Sequence, residues 1–192
     1  MMPLYILALL KSVALRHGLS TKLDDRVYAM CELKSLPLCH LIQTIYPDLF
    51  PIHNLSEKGA INIEDMEGYI YLRNISIGTV LTILDAGCVI YVYIRGGISP
   101  QWVNDVIGVP SFAAIPQPLY EESLPFVDNA TSELARNFVA YLQKNKPFPV
   151  PVQIIREDNP SRVLFINYLA DDRSEGARSY VEFLQFVKTQ VK

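Results

Sequence analysis

The chain has 192 residues, half of them hydrophobic and 19% charged, with a formal net charge of -3. This composition supplies a sizeable core and excludes an intrinsically disordered chain. The acidic balance, with no clustered Lys and Arg run, excludes a nucleic-acid surface. The three cysteines, Cys31, Cys39 and Cys88, form no CxxC pair. They read as buried or half-buried thiols of a reducing compartment rather than a disulfide scaffold.

Taken in chain order, Leu4 to Leu10 is an apolar run ended by Lys11, with Pro3 placed where a first helical turn tolerates it. The run is far short of the roughly 20 residues that span a bilayer. It also lacks the leading positive charge of a signal peptide. A helix buried against something else is expected. Ser20 and Thr21 precede a second helix with Leu23, Val27, Met30 and Cys31 on one stripe and Asp24 and Asp25 in its first turn. A third, Leu38 to Ile45, is bracketed by Pro37 and Pro47.

From Leu49 the composition shifts to prolines, glycines and β-branched residues, which marks a boundary. Glu67 to Gly78 contains one expected strand. Thr79 to Gly97 carries the strongest β signal, two apolar runs around Asp85-Ala-Gly87, and predicts a hairpin buried on both faces. Ser99 and Pro100 open a short helix that stops at Gly108. Val109 to Pro125 is a proline-punctuated loop, either a packed surface loop or a pre-ordered contact surface. A long helix follows, capped by Asn129 or Thr131, with Leu134, Phe138, Tyr141 and Leu142 as its buried stripe and Lys144 and Lys146 at its C-terminal end.

Pro147, Pro149 and Pro151 lack N–H groups on one side of an extended segment, which predicts entry at a sheet edge before pairing begins at Val152 to Arg156. Asn159-Pro160 predicts another helix, with Phe165, Tyr168 and Leu169 on one side. The sequence from Ser179 to Glu182 fits a capping box opening a last helix, with Tyr180, Phe183, Leu184, Val187 and Val191 at helical spacing.

No catalytic constellation emerges. His17, His40 and His53 stand apart from plausible nucleophiles, and Cys39 and His40, as helical neighbours, diverge by roughly 100°. There is no GxSxG, Walker loop or GxGxxG motif. Asp171, Asp172, Arg173 and Glu175 read as the polar loop between two helices, without the oxygen-ligand spacing of a calcium loop. Trp102, the single tryptophan, reads as a core anchor. Three sequons, at Asn54, Asn74 and Asn129, read as chance, and Asn129 has a capping role instead.

Six segments, in order, resemble the C-terminal end of the Sec24 family, the cargo-selecting subunit of the inner COPII vesicle coat. They are PLYILALLKSVALR, STKLDDRVYAMCELKSLPL, YPDLFPIHNL, LDAGCVIYVYI, VIGVPSFAAIP and LADDRSEGARSYVEFL. The resemblance implies an α+β chain: part of a helical domain over 1–48, then a gelsolin-like domain over 49–192, a central mixed sheet between helices. Residues 62–78 depart from the family pattern. The resemblance implies a non-enzymatic role in ER-to-Golgi transport, supporting cargo selection and coat assembly. Its implied partners are the sister inner-coat subunit, as a heterodimer in the full-length protein, and export signals of membrane cargo. The implied location is cytoplasmic, peripheral on the ER membrane through the coat. No catalytic, cofactor-binding, metal-binding or cargo-binding residue carries over, and the family's structural zinc is expected upstream of these segments. A calcium- or actin-binding gelsolin-like repeat is the alternative, with Asp85 and Glu133 as its only candidate ligands. An enzyme built on the Asp171–Glu175 cluster is a third reading.

Overall fold

The computed structural model describes residues 2–16, 21–52, 80–117, 119–144, 146, 148–170, 173 and 177–191. The chain divides into two compact units, Asp48–Arg162 and Met1–Pro47 with Val163–Lys192.

The first of these is built on a five-stranded mixed sheet of order β1-β2-β3-β5-β4. Its strands are β1 (Asp48–Pro51), β2 (Leu81–Asp85), β3 (Ile90–Ile94), β4 (Leu119–Glu121) and β5 (Val152–Arg156). β2 and β3 form the expected hairpin, with Leu81 opposite Ile94 and Asp85 opposite Ile90. Gly87 takes φ 84 at the turn, a conformation that an added Cβ would disfavour. The Asp85 carboxylate accepts from the Gly87 N–H at 3.0 Å, the side-chain mimicry that suits aspartate to turns. Every residue of both strands is buried, as runs apolar on both faces require.

β3 pairs in parallel with β5, so the chain between them makes a crossover. That crossover holds α4 (Pro100–Ile107), a 3-10 turn at Phe112–Ala114, β4 and α5 (Ala130–Lys144). The local signals behave as expected. The Ser99 hydroxyl accepts from the Trp102 N–H, and Gly108 closes α4 in the left-handed region at φ 78. Asn129, not Thr131, caps α5: its Oδ1 accepts from the Ser132 N–H at 2.8 Å. Ala135, Phe138, Val139 and Leu142 of α5 join Val103, Val106 and Ile107 of α4 on one face of the sheet, against Leu81, Ile83, Val92 and Ile154. Phe50 meets Phe138 edge to face at 5.2 Å.

The second unit contains α1 (Met2–Lys11), α2 (Leu23–Ser35), α3 (Leu38–Ile45) and α7 (Tyr180–Gln190). α1 contacts both α3 and α7. Lys11 is buried and its Nζ donates to the Ala170 carbonyl at 2.8 Å. The capping box at Ser179 is fully formed: its hydroxyl accepts from the Glu182 N–H and its own N–H donates to the Glu182 carboxylate. Tyr180, Phe183, Leu184 and Val187 are half-buried, and Val191 is exposed.

Several expectations need correction. Apart from the family bounds 1–48 and 49–192, packing alone groups Val163–Lys192 with the N-terminal helices, through α7 and Ala170. β5 is not an edge strand; it pairs on both sides, and the prolines stop short of its ladder. The carbonyl of Pro151, which proline retains, still accepts from the Ile90 N–H. α6 (Arg162–Ile166) starts later than Pro160, since the Asn159 side chain accepts from the Ser161 N–H and shapes a turn first. The apolar stripe of α2, for which no burial was predicted, is open: Leu23 is 74% and Val27 54% exposed. β1 and β4 were not expected as strands. The strand expected within Glu67–Gly78, and Asn54 and Asn74, lie outside the described residues.

Candidate interaction surface

The loop from Val109 to Pro125 is fastened rather than free. Ile115 and Leu124 are buried, and Val109, Phe112 and Leu119 pack on the sheet's core. Arg156, at the end of β5, holds the loop's backbone. Its Nη1 donates to the carbonyls of Ala113 at 2.7 Å and Ile115 at 3.2 Å. Its Nε and Nη2 grip both oxygens of Asp158, at 2.8 and 2.6 Å. Its guanidinium carbon lies 5.1 Å from the centre of the Phe112 ring. This uses the planar fork that only arginine offers. The bond to Asp158 raises Arg156 above its ordinary range and holds Asp158 below its own. Gln117 extends the β4–β5 ladder with its side chain: its amide donates to the Ile154 carbonyl and accepts from the Arg156 N–H.

Beside it, Glu157 accepts from the Gly96 N–H at 3.0 Å and from Arg95 Nε at 3.1 Å. The Gly96 bond is the main cause holding this carboxylate below its usual range, with Arg95 adding to it. Tyr93, on β3, is pushed up by burial and then by the Glu157 charge.

At the opposite end of β2, Lys146 Nζ meets Asp85 Oδ1 at 2.5 Å, and both side chains are 4% exposed. The expected role of Lys146, complementing the dipole of α5, is thereby exchanged for a long-range ion pair. Asp85 is committed to an ammonium and to the Gly87 N–H, so it is not available as a calcium ligand in the way the gelsolin-like alternative requires. Glu133 is exposed in the first turn of α5. Among the described residues no three His, Cys, Asp or Glu side chains converge as a metal site. His40 is half-buried, while Cys31, Cys39 and Cys88 are all exposed, against the expectation that these thiols are buried or half-buried. Trp102 is partly buried and packs on the core. His17, His53, Asp171, Asp172 and Glu175 lie outside the described residues. Arg173 is within 3.5 Å of the Glu182 carboxylate. The Ser179 N–H is the main cause keeping Glu182 below its ordinary range.

Sequence reasoning missed the long-range contacts of Arg156 and Lys146, and one arrangement more. Phe126 is 72% exposed, and the Arg136 guanidinium carbon sits 4.5 Å from the centre of its ring. The only sequence signal was an aromatic residue in a short capped loop ahead of α5. In the helical unit, Met2, Ile6 and Leu10 of α1 are exposed together with Leu23, Val27 and Tyr28 of α2, so apolar side chains lie open on both helices. None of the described helices is long and apolar enough to cross a membrane.

Comparison with known proteins adds the family. Residues 1–43 match the Sec23/Sec24 helical domain. The human protein transport protein Sec24B is 39% identical over 98% of this chain, and the mouse protein transport protein Sec24A is 35% identical over the same share. Protein transport protein SEC24 of Saccharomyces cerevisiae is 25% identical across the whole chain. The crystal structure of the human COPII-coat protein Sec24c superposes over 98% of this chain with a TM-score of 0.83 at 23% identity, which shows a shared fold. This chain spans 15% of the human Sec24B and 18% of the mouse Sec24A. With the α+β architecture and full-length alignment of this chain to transport proteins of one name, the chain belongs to the Sec24 family.

Proposed function

We propose that this chain is a non-enzymatic, protein-binding part of a COPII inner-coat subunit, supporting cargo selection and coat assembly during ER-to-Golgi transport. The observation that carries the reading is the 39% identity to human Sec24B across 98% of the chain. The way ionisable groups are used supports it: Asp85, Glu157, Asp158 and Glu182 each bind an N–H or a cation that shapes the fold. The partners are the sister inner-coat subunit and export signals of membrane cargo. The location is cytoplasmic, peripheral on the ER and its vesicles. A structural zinc belongs to other parts of the family's chain.

Native co-precipitation of the full-length protein with the sister subunit tests the reading. Stable association is expected. Absence of association at physiological salt, with both proteins folded, would overturn it.

A further inference from the structure

Phe126 projects from the segment between β4 and α5, and that segment is bolted down. Ser132, fully buried in the first turn of α5, accepts from the Val127 N–H at 3.3 Å and donates to the Pro125 carbonyl at 3.5 Å. Asn129 adds a bond from its Nδ2 to the Asp105 carbonyl at 2.7 Å, tying the same segment to α4. The backbone on both sides of Phe126 is therefore fixed while its ring faces solvent. An exposed aromatic on a fixed backbone loses little freedom when a partner covers it.

Arg136 lies two helical turns into α5 and stacks on this ring. Its Nε–H is buried and, among the described residues, has no hydrogen-bond partner. Glu133 is three residues earlier on the same helix, a spacing that suits an ion pair. Yet Arg136 engages the Phe126 ring instead, and among the described residues it forms no salt bridge. The contrast with Arg156, whose fork is occupied by a carboxylate and two carbonyls, is direct.

We infer that Phe126 and Arg136 form a docking point for a protein segment carrying a side-chain carboxylate beside an apolar side chain. The carboxylate would take the outer nitrogens of the guanidinium, in the geometry arginine favours, while the apolar neighbour covers the open part of the ring. Stacking has already taken one side of the guanidinium out of water, so the cost of closing a carboxylate over it is reduced. Arginine and the aromatic residues, phenylalanine included, are also enriched at protein interfaces. This inference rests on reading the chain as a protein-binding module.

The test is NMR titration of the isotopically labelled 192-residue chain with N-acetyl-Leu-Glu-Leu-amide and, separately, N-acetyl-Leu-Gln-Leu-amide. The Glu peptide is expected to shift the Arg136 Nε–H and Phe126 resonances at millimolar concentration. The Gln peptide should bind at least about fivefold more weakly, since it lacks the charge. Phe126→Ala and Arg136→Lys should each weaken the Glu peptide to a similar degree while leaving the rest of the amide spectrum in place. Equal responses to the two peptides, an unchanged response in either variant, or no shift at these two residues overturns the site. Co-precipitation with the sister coat subunit reads a separate event, so retained co-precipitation with a silent patch sinks the docking point alone.

Discussion

Replacing Lys146 by methionine removes the ammonium and keeps most of the stem's volume. In the structure this leaves Asp85, 4% exposed, as a buried carboxylate without the cation that now meets it at 2.5 Å. Breaking a buried pair by deleting one partner costs about 3–5 kcal/mol, because the surviving charge remains desolvated. The exposed pair Arg95–Glu157, with side chains 31% and 34% exposed, provides the contrast; such pairs are worth roughly 0.2–1 kcal/mol. With a urea m-value of about 2–3 kcal/mol/M for a chain of this size, the unfolding midpoint should fall by about 1–2.5 M. Trp102 packs on the same core as the sheet, so its fluorescence reports the unfolding of the unit that holds the pair. Adding Asp85→Asn to Lys146→Met should restore much of the loss, since Asn keeps an acceptor for the Gly87 N–H and carries no charge. The effect of Lys146→Met should persist in high salt, as buried pairs are weakly screened. A midpoint drop below about 0.3 M, or no recovery in the double variant, would refute the assignment of this pair as a structural element.

Arg156→Lys keeps the charge but loses the fork, the bidentate grip on Asp158 and the stacking on Phe112; amide exchange at Ala113–Ile115 should accelerate by an amount corresponding to roughly 1–3 kcal/mol while the strands stay protected. Glu157 and Asp158 are held below their unfolded values, so each contributes stability that is present above the ordinary carboxylate range of about 4 and is lost as pH falls through the lower folded value. Glu157→Gln should therefore flatten the fall in urea midpoint on the acid side of about pH 4, and an unchanged slope would contradict the Gly96 and Arg95 contacts as its cause. Ser99→Ala should cost about 1 kcal/mol as the loss of one helix cap, and Asn129→Ala measurably more, because Asn129 also donates to Asp105; equal costs by thermal unfolding would count against that second bond.

The elements legible in the sequence were those specified by neighbours a few residues apart. Ser99 with Pro100, Gly108, Asn129 and the Ser179–Glu182 box set helix ends through local hydrogen bonds, and each is found in the structure. The β2–β3 hairpin was legible because Asp85 and Gly87 encode the turn between two apolar runs. β1 and β4 escaped notice because they are only 4 and 3 residues long, and β4 lies among prolines; their strand character is conferred by pairing with β2 and β5. The start of β5 at Val152, just past the prolines, was legible; its place inside the sheet was not, because β4 on its other side escaped notice. The interaction surface was the least legible part. Arg156 meets Ala113 across 43 positions, and Lys146 meets Asp85 across 61, and no local pattern announces either. Arg136 and Phe126 are closer in sequence, but only the fixing of the loop by Ser132 brings ring and guanidinium together.

The 61 positions between Asp85 and Lys146 also set an order of events at the ribosome. The hairpin that carries Asp85 needs only nearby residues and is complete in the nascent chain well before its counter-ion has been translated. Until then the sheet lacks β5, and a carboxylate destined for the interior is without the ammonium that meets it in the finished fold. Premature termination within that interval would leave a half-built sheet with an open flank and a stranded negative charge, a species suited to chaperone capture and clearance.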